Sequence, residues 1–123
     1  MKTTKTSDFI SFHTLTTKDT YNILNSKRVN ALKSGAVVIN VCGMEQVNIP
    51  ALEKRLKKSD ITFILDHPDE MDKKDVEKLS QYKNCIVYPP IGYVTKEARV
   101  AKQEIFVSNI ENFLKGKPTN TIN

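Results

Sequence analysis

The sequence predicts an α/β fold in which about four parallel strands form one sheet with helices flanking it. Two short apolar runs rich in β-branched residues, Ala36–Val41 and Ile61–Leu65, indicate neighbouring strands. Continuous apolar runs suit strands that are buried on both faces, as parallel sheets require. Strand and helix patterns also alternate along the chain, which favours right-handed crossovers between parallel strands.

The segment between these two runs has the features of a helix. Asn48 can cap its N-terminus, and Pro50 is tolerated in the first turn, where no intrahelical N–H is needed. Leu52 and Leu56 are four residues apart and give the helix one apolar stripe. The second strand then ends on Asp66, which completes a βαβ unit. In open α/β sheets, ligands bind just beyond the carboxyl ends of the strands.

Three elements are predicted before this unit. Asp8–His13 has the aromatic and β-branched content of a strand. Thr17–Leu24 resembles a short helical turn, and Ser26 can cap a helix that continues to Leu32. Gly35 is then the natural C′ residue of that helix.

Three further elements are predicted after it. Asp72 can cap a helix through Leu79, and Cys85–Tyr88 is a short strand that Pro89-Pro90 ends. Thr95 caps a long last helix, which Gly116 and Pro118 close. The residues expected on the buried side of the last helix are Ala98, Ala101, Ile105, Ile110, Phe113 and Leu114.

Length and composition predict one domain over residues 1–123. No apolar run approaches the roughly 18 residues of a membrane span, so we expect no membrane association. Lys2–Ser7 is polar, and we expect it to be frayed and not a secretory signal. Cys42 and Cys85 lack metal-ligand spacing, so we predict no metal site, reduced thiols and a cytoplasmic location.

The chain is basic, with a net charge of +5. Much of this charge lies on one helix, at Lys54, Arg55, Lys57 and Lys58. We interpret these residues as a solvated helix face. Exposed aromatic residues do not alternate with them, so nucleic-acid binding is not expected. A basic module that binds nucleic acid or an acidic protein remains an alternative.

In their amino-acid sequence and in their order along the chain, several stretches resemble the nucleotide-binding domain of the D-isomer-specific 2-hydroxyacid dehydrogenases. They are SDFISFHTLTTKDTYNILN, LKSGAVVINV, VNIPALEKRL, ILD, NCIVYPPIGYVTKEA and FLKGKPTNTIN. The resemblance implies a partial, Rossmann-like fold and covers the second half of that domain. The family's GxGxxG half is absent from these residues, because the four glycines lie far apart in the sequence.

The resemblance also implies which positions carried catalysis in the family. An Arg that binds the substrate carboxylate aligns with Gly43, and the general acid/base His aligns with Pro90. The Glu that orients this His aligns with Met71, one residue from Glu70. Glu70 and His67 are therefore only weak catalytic candidates. Whether the chain is an enzyme is left open, and we expect a pseudoenzyme.

The resemblance implies that this chain keeps the residues on one side of the family's NAD site. The implied cofactor-binding residues are Thr14, Leu15, Thr20, Val41, Cys42, Gly43 and Asp66. Asp66 would accept a hydrogen bond from the nicotinamide carboxamide. Without the glycine-rich turn that binds pyrophosphate, we expect NAD binding to be weak or lost.

The strand Asp8–His13 is expected to lie at an open edge of the sheet. Phe9, Ile10 and Phe12 would make this edge apolar, so we predict that a second copy or a partner chain covers it. The resulting hypothesis is a catalytically inactive relative of the dehydrogenases that acts as a weak nucleotide-binding or assembly module. The alternatives are an oxidoreductase half completed by a partner chain and a truncated product.

Overall fold

A computed structural model describes residues 2–92 and 94–122. The chain divides into two compact units, residues 1–90 and residues 91–123. The first unit holds a sheet and four helices, and the second holds one long helix. No helix among the described residues is long and apolar enough to cross a membrane.

The first unit contains one sheet of four parallel strands, as the sequence predicts. The strands are β1 (Phe9–Phe12), β2 (Val37–Asn40), β3 (Thr62–Leu65) and β4 (Cys85–Val87). They are hydrogen-bonded in the order β1-β2-β3-β4 and every pair is parallel. Phe12, Asn40 and Leu65 stand level with one another at the carboxyl ends of the first three strands.

One helix precedes these strands and three connect them. They are α1 (Lys2–Thr6), α2 (Ser26–Asn30), α3 (Ile49–Leu56) and α4 (Lys73–Ser80), with 3-10 turns at Met44–Gln46 and Pro68–Glu70. The N-terminal segment that was expected to fray is therefore helical. The carbonyl of Thr4 in this helix accepts the backbone N–H of Lys33.

The core lies on one face of the sheet. Val38 and Phe63 on the strands are fully buried, as are Val29, Leu52, Leu56 and Leu79 on the helices. Alternate strand residues such as Val37 and Ile64 are only half-buried. The expectation of burial on both faces was therefore wrong, because β2 and β3 have one buried face and one partly accessible face.

The helix caps agree with the sequence at two of three positions in this unit. Asn48 Oδ1 accepts the N–H of Ala51 at 3.0 Å, and Asp72 Oδ1 accepts that of Lys74 at 2.9 Å. For α2 the predicted cap, Ser26, is wrong. Asn25 holds the extended cap conformation, and its side chain accepts from Arg28 N–H.

Two neighbouring loops also differ from expectation. Thr17–Leu24 forms turns and no helix, and Leu24 bridges to Val47. Gly35 has a φ of +83°, which favours glycine, but it lies in the turn before β2 and is not the residue that follows α2.

Arg55 corrects the interpretation of α3 as carrying a wholly solvated basic face. Its residue surface is 7% exposed, and its guanidinium pairs with Asp60 at 2.9 Å. It also donates to the carbonyl of Leu32 at 2.9 Å. Lys57 pairs with Glu53 on the same helix. The basic surface of α3 is therefore smaller than the sequence suggests.

The second unit is dominated by α5 (Lys96–Leu114). Its predicted N-cap is confirmed, since Thr95 Oγ1 accepts the N–H of Ala98 at 3.1 Å. Gly116, with a φ of +70°, follows its end. The predicted buried side is wrong, because no residue of α5 is buried. Ala98 is partly accessible, and the other members of that side are exposed: Ala101, Ile105, Ile110, Phe113 and Leu114.

Candidate functional site

A cleft opens at the carboxyl ends of the strands, where the topology of an open α/β sheet favours a ligand. It is formed by the segments that follow β1, β2 and β3. The lining residues are His13, Thr14, Leu15, Thr16, Val41, Cys42, Gly43, Glu45, His67 and Glu70. The parallel sheet brings these segments together, although more than fifty residues separate the first from the last.

Most of the predicted site residues meet in this cleft. Five predicted cofactor-binding residues line it, namely Thr14, Leu15, Val41, Cys42 and Gly43. Both weak catalytic candidates, His67 and Glu70, also line it. Thr20, Asp66 and Pro90 are not among its described lining residues.

Cys42 links the ends of β1 and β2. Its Sγ accepts the backbone N–H of Thr14 at 3.1 Å and donates to the carbonyl of Phe12 at 3.3 Å. These contacts give the half-buried thiol a structural role at the floor of the cleft. The second cysteine, Cys85, is buried in β4, and its burial raises the pKa of the thiol to about 11.

Two buried amides that the sequence analysis missed shape the cleft. Asn40 Nδ2 donates to the carbonyl of Cys42 at 2.9 Å, and its Oδ1 accepts the N–H of the same residue. Gln46 Nε2 donates to the carbonyl of Thr14 at 2.8 Å, and its Oε1 accepts from the Thr14 hydroxyl at 2.8 Å. An amide side chain within an apolar stretch could have indicated these contacts, because a buried amide needs hydrogen-bond partners.

Thr20 is not a described lining residue of the cleft, but it bonds to a residue that is. Its hydroxyl donates to the carbonyl of Leu15 at 2.6 Å and accepts the N–H of Thr17 at 2.7 Å. These bonds fix the loop that carries Leu15, whose surface is 85% exposed. In this structure Thr20 therefore positions a lining residue.

Asp66 directly follows β3. Its Oδ1 is buried and has no hydrogen-bond partner among the described residues. The Nε2 atom of His67 lies 3.6 Å from this oxygen, and its Nδ1 atom lies 3.8 Å from Asp69 Oδ1. A buried acceptor without a donor is costly, and a rotation of the side chain that brings it to the N–H of a ligand would relieve that cost.

Gly43 leaves space that a neighbouring carboxylate occupies. Its φ of −56° is open to any residue, so backbone conformation does not require glycine here. A Cβ at this position would collide with Glu45 Oε2, although that side chain is flexible at its end. An arginine at position 43 would therefore require Glu45 to move.

The cleft is acidic although the chain is basic overall. Glu45 and Glu70 are its charged lining residues, and no Lys or Arg occurs in its described lining. A second cleft shares both glutamates and adds the carboxylates of Asp72 and Asp75. Within the described part of the chain, no group of three or more His, Cys, Asp or Glu side chains is arranged to hold a metal ion.

The sequence profile of the D-isomer specific 2-hydroxyacid dehydrogenase NAD binding domain matches residues 1–92. A glyoxylate reductase of Thermococcus litoralis is 36% identical over 97% of this chain. The match spans 36% of that relative's length, so this chain corresponds to little more than a third of it.

Solved structures share the fold. An acyclic imino acid reductase in complex with NADPH and D-Arg is 30% identical, with a TM-score of 0.82 over 99% of this chain and 39% of the other. A D-lactate dehydrogenase with NAD+ from Lactobacillus jensenii is 27% identical, with a TM-score of 0.84 over 99% of this chain and 41% of the other. The agreement in fold extends along nearly the whole chain.

Proposed function

This chain belongs to the D-isomer specific 2-hydroxyacid dehydrogenase family, and we propose that it acts as a weak nucleotide-binding or assembly module that does not itself catalyse hydride transfer. The observation that carries this proposal is the acidic floor of the cleft. Where the family resemblance implies a substrate-binding arginine, Gly43 is covered by the Glu45 carboxylate. A 2-hydroxy acid or 2-oxo acid is an anion, so this carboxylate opposes its binding.

The second catalytic position supports the same proposal. Pro90 stands where the resemblance implies a general acid/base, and proline carries no side-chain proton. Losing such a group costs roughly 10²–10⁴-fold in rate. His67 is one of two imidazoles that line the cleft, and the carboxylates of Asp66 and Asp69 lie within 4 Å of its ring nitrogens.

The residues present fit the nicotinamide end of NAD better than its pyrophosphate. The unpartnered Oδ1 of Asp66 suits the N–H of a carboxamide, and Val41, Cys42 and Gly43 line the cleft where the resemblance implies the nicotinamide. When bound, the nicotinamide ring supplies hydride transfer. The four glycines of this chain do not form a phosphate-binding turn, so we expect an affinity near millimolar, about −4 kcal/mol.

Calorimetric titration with NAD+ tests this proposal. We expect weak binding that Asp66→Ala abolishes, because the orphaned acceptor is then gone. The matched control is Asp69→Ala, which removes a neighbouring carboxylate that is 58% exposed and should leave binding unchanged. Oxidation of NADH by the chain when glyoxylate is added would contradict the inactive assignment.

A second candidate is an oxidoreductase half that a partner chain completes. It is favoured by the coverage of the relatives, since this chain corresponds to only 36–41% of their lengths. Binding of NAD+ tighter than roughly 100 µM, about −5.5 kcal/mol, would support completion of the site by assembly.

Assembly would use the edge of the sheet at β1. This strand pairs with β2, and its other side has no partner strand among the described residues. Phe9 at this edge is 73% exposed, so a second copy or a partner chain that covers it would bury apolar surface. The free thiols Cys42 and Cys85 suit the reducing cytoplasm, where we place this chain.

Sedimentation at increasing concentration tests assembly at this edge. We expect Phe9→Lys to shift the chain towards smaller species, since a lysine discourages strand pairing. The control is Tyr88→Lys, which changes an exposed aromatic residue directly after the opposite edge strand, β4. A monomer at every concentration for the unaltered chain would contradict the assembly role.

A further inference from the structure

The lining of the cleft is negatively charged, and the fold alone does not predict this charge. A negative lining favours ligands that carry a positive charge. The charged lining residues of the cleft are Glu45 and Glu70, and the carboxylates of Asp66 and Asp69 lie within 4 Å of His67, which also lines it. The chain as a whole carries 19 Lys and Arg residues against 14 Asp and Glu. The cleft is therefore an acidic region on a basic protein.

Glu45 is held close to the floor of this cleft. It belongs to the 3-10 turn Met44–Gln46, and its backbone carbonyl accepts the N–H of Asn22 at 2.9 Å. Its carboxylate occupies the place that a side chain at Gly43 would take. The absence of a side chain at Gly43 thus admits a negative charge directly beside the backbone where a nicotinamide ring is expected.

We propose that the cleft selects the oxidised form of the nicotinamide cofactor, and that Glu45 is the specificity-determining residue. This inference rests on the proposed function, since it concerns the same site. The oxidised ring is a pyridinium cation and the reduced ring is neutral, while the remainder of the two dinucleotides is the same. A difference in affinity between them therefore reports the charge around the ring.

The size of the expected effect follows from Coulomb interaction in a partly solvated site. Two carboxylates each about 6 Å from the ring, in an open cleft with a dielectric constant near the roughly 80 of water, favour the cation by about threefold each and about tenfold together at low ionic strength. Screening shortens this interaction, because the Debye length falls from about 30 Å at 0.01 M salt to 3 Å at 1 M. The preference should therefore shrink as salt is added.

The test is calorimetric titration of the chain with NAD+ and with NADH at low and high salt. We expect NAD+ to bind about tenfold more tightly at low salt and Glu45→Gln to reduce this ratio to about threefold or less. The matched control is Glu77→Gln, which changes an exposed carboxylate on α4 outside both clefts and should keep the ratio.

The outcomes separate this inference from the proposed function. Equal binding of the two forms, tighter binding of NADH, or a ratio that Glu45→Gln leaves intact overturns the inference while nucleotide binding stands. Failure of both forms to bind overturns the inference together with the nucleotide-binding half of the proposed function. As a probe without phosphates, 1-methylnicotinamide should bind more tightly than neutral nicotinamide, and Glu45→Gln should remove that difference as well.

Discussion

Helices α3 and α5 have equally clear sequence signals but opposite surroundings. Each begins at its predicted cap, Asn48 or Thr95. In α3, Leu52 and Leu56 are fully buried. In α5, by contrast, Ile105 is 54% exposed, and the rest of the predicted apolar side is also accessible.

The difference separates local from tertiary information. A cap joins a side chain to a backbone N–H three residues away, so it forms wherever the local sequence allows. Burial of an apolar stripe requires another element to cover it, and the sheet face provides this for α3. Three predictions test the contrast between the two units.

The largest effect is expected from truncation in the covered helix. Leu52→Ala should lower the free energy of unfolding by about 2–5 kcal/mol, because it leaves a cavity against the sheet. Ile105→Ala in α5 should change it by no more than about 0.5 kcal/mol. Urea denaturation followed by circular dichroism measures both, and equal losses would show that α5 is covered in solution.

Titration of a buried thiol in the sheet unit should have a smaller effect on the free energy of unfolding. It extends the contrast between this unit and the accessible helix α5. Burial raises the pKa of Cys85 from 9.0 to about 11, so the folded state holds its proton to higher pH than the unfolded state. The stability from the neutral thiol is complete below pH 9 and is lost as pH rises to 11, a change of roughly 2 kcal/mol. The measurement is urea denaturation across this pH range.

The control for this titration is Cys85→Val, which has no thiol to ionise. Its stability should fall less between pH 9 and 11 than that of the unaltered chain. Parallel curves would mean that other groups account for the whole pH dependence.

The smallest effect is expected at the two caps. Asn48→Ala and Thr95→Ala each remove one side-chain hydrogen bond to the backbone, worth about 1 kcal/mol. For Asn48 the loss should appear in the unfolding of the sheet unit. For Thr95 it should appear only as faster amide exchange in the first turn of α5, and the reverse assignment would contradict the separation of the units.

The sequence predicted what depends on local pattern. The four strands, the caps at Asn48, Asp72 and Thr95, and the strand-end position of the cleft all follow from short stretches and the rules of parallel sheets. The cap of α2 lies at Asn25, one residue before the predicted Ser26. The fold class was accordingly predictable.

What the sequence could not give depends on side chains from distant segments. Gln46 forms a hydrogen bond with Thr14, 32 positions away in the sequence. The guanidinium of buried Arg55 bonds to the Leu32 carbonyl and to the Asp60 carboxylate, which come from other segments. The position of the Glu45 carboxylate beside Gly43 also depends on the folded path of the chain, since the composition alone shows a basic protein. Such contacts are determined by the tertiary fold and not by any single segment of the sequence.

The strand order β1-β2-β3-β4 has a consequence for synthesis. Each strand pairs with the strand that leaves the ribosome just before it, so no early strand waits for a distant partner. Because consecutive strands pair, each pairing closes a shorter loop and loses less chain entropy than a pairing that skipped a strand would. The sheet can therefore grow in the direction of translation, one strand at a time.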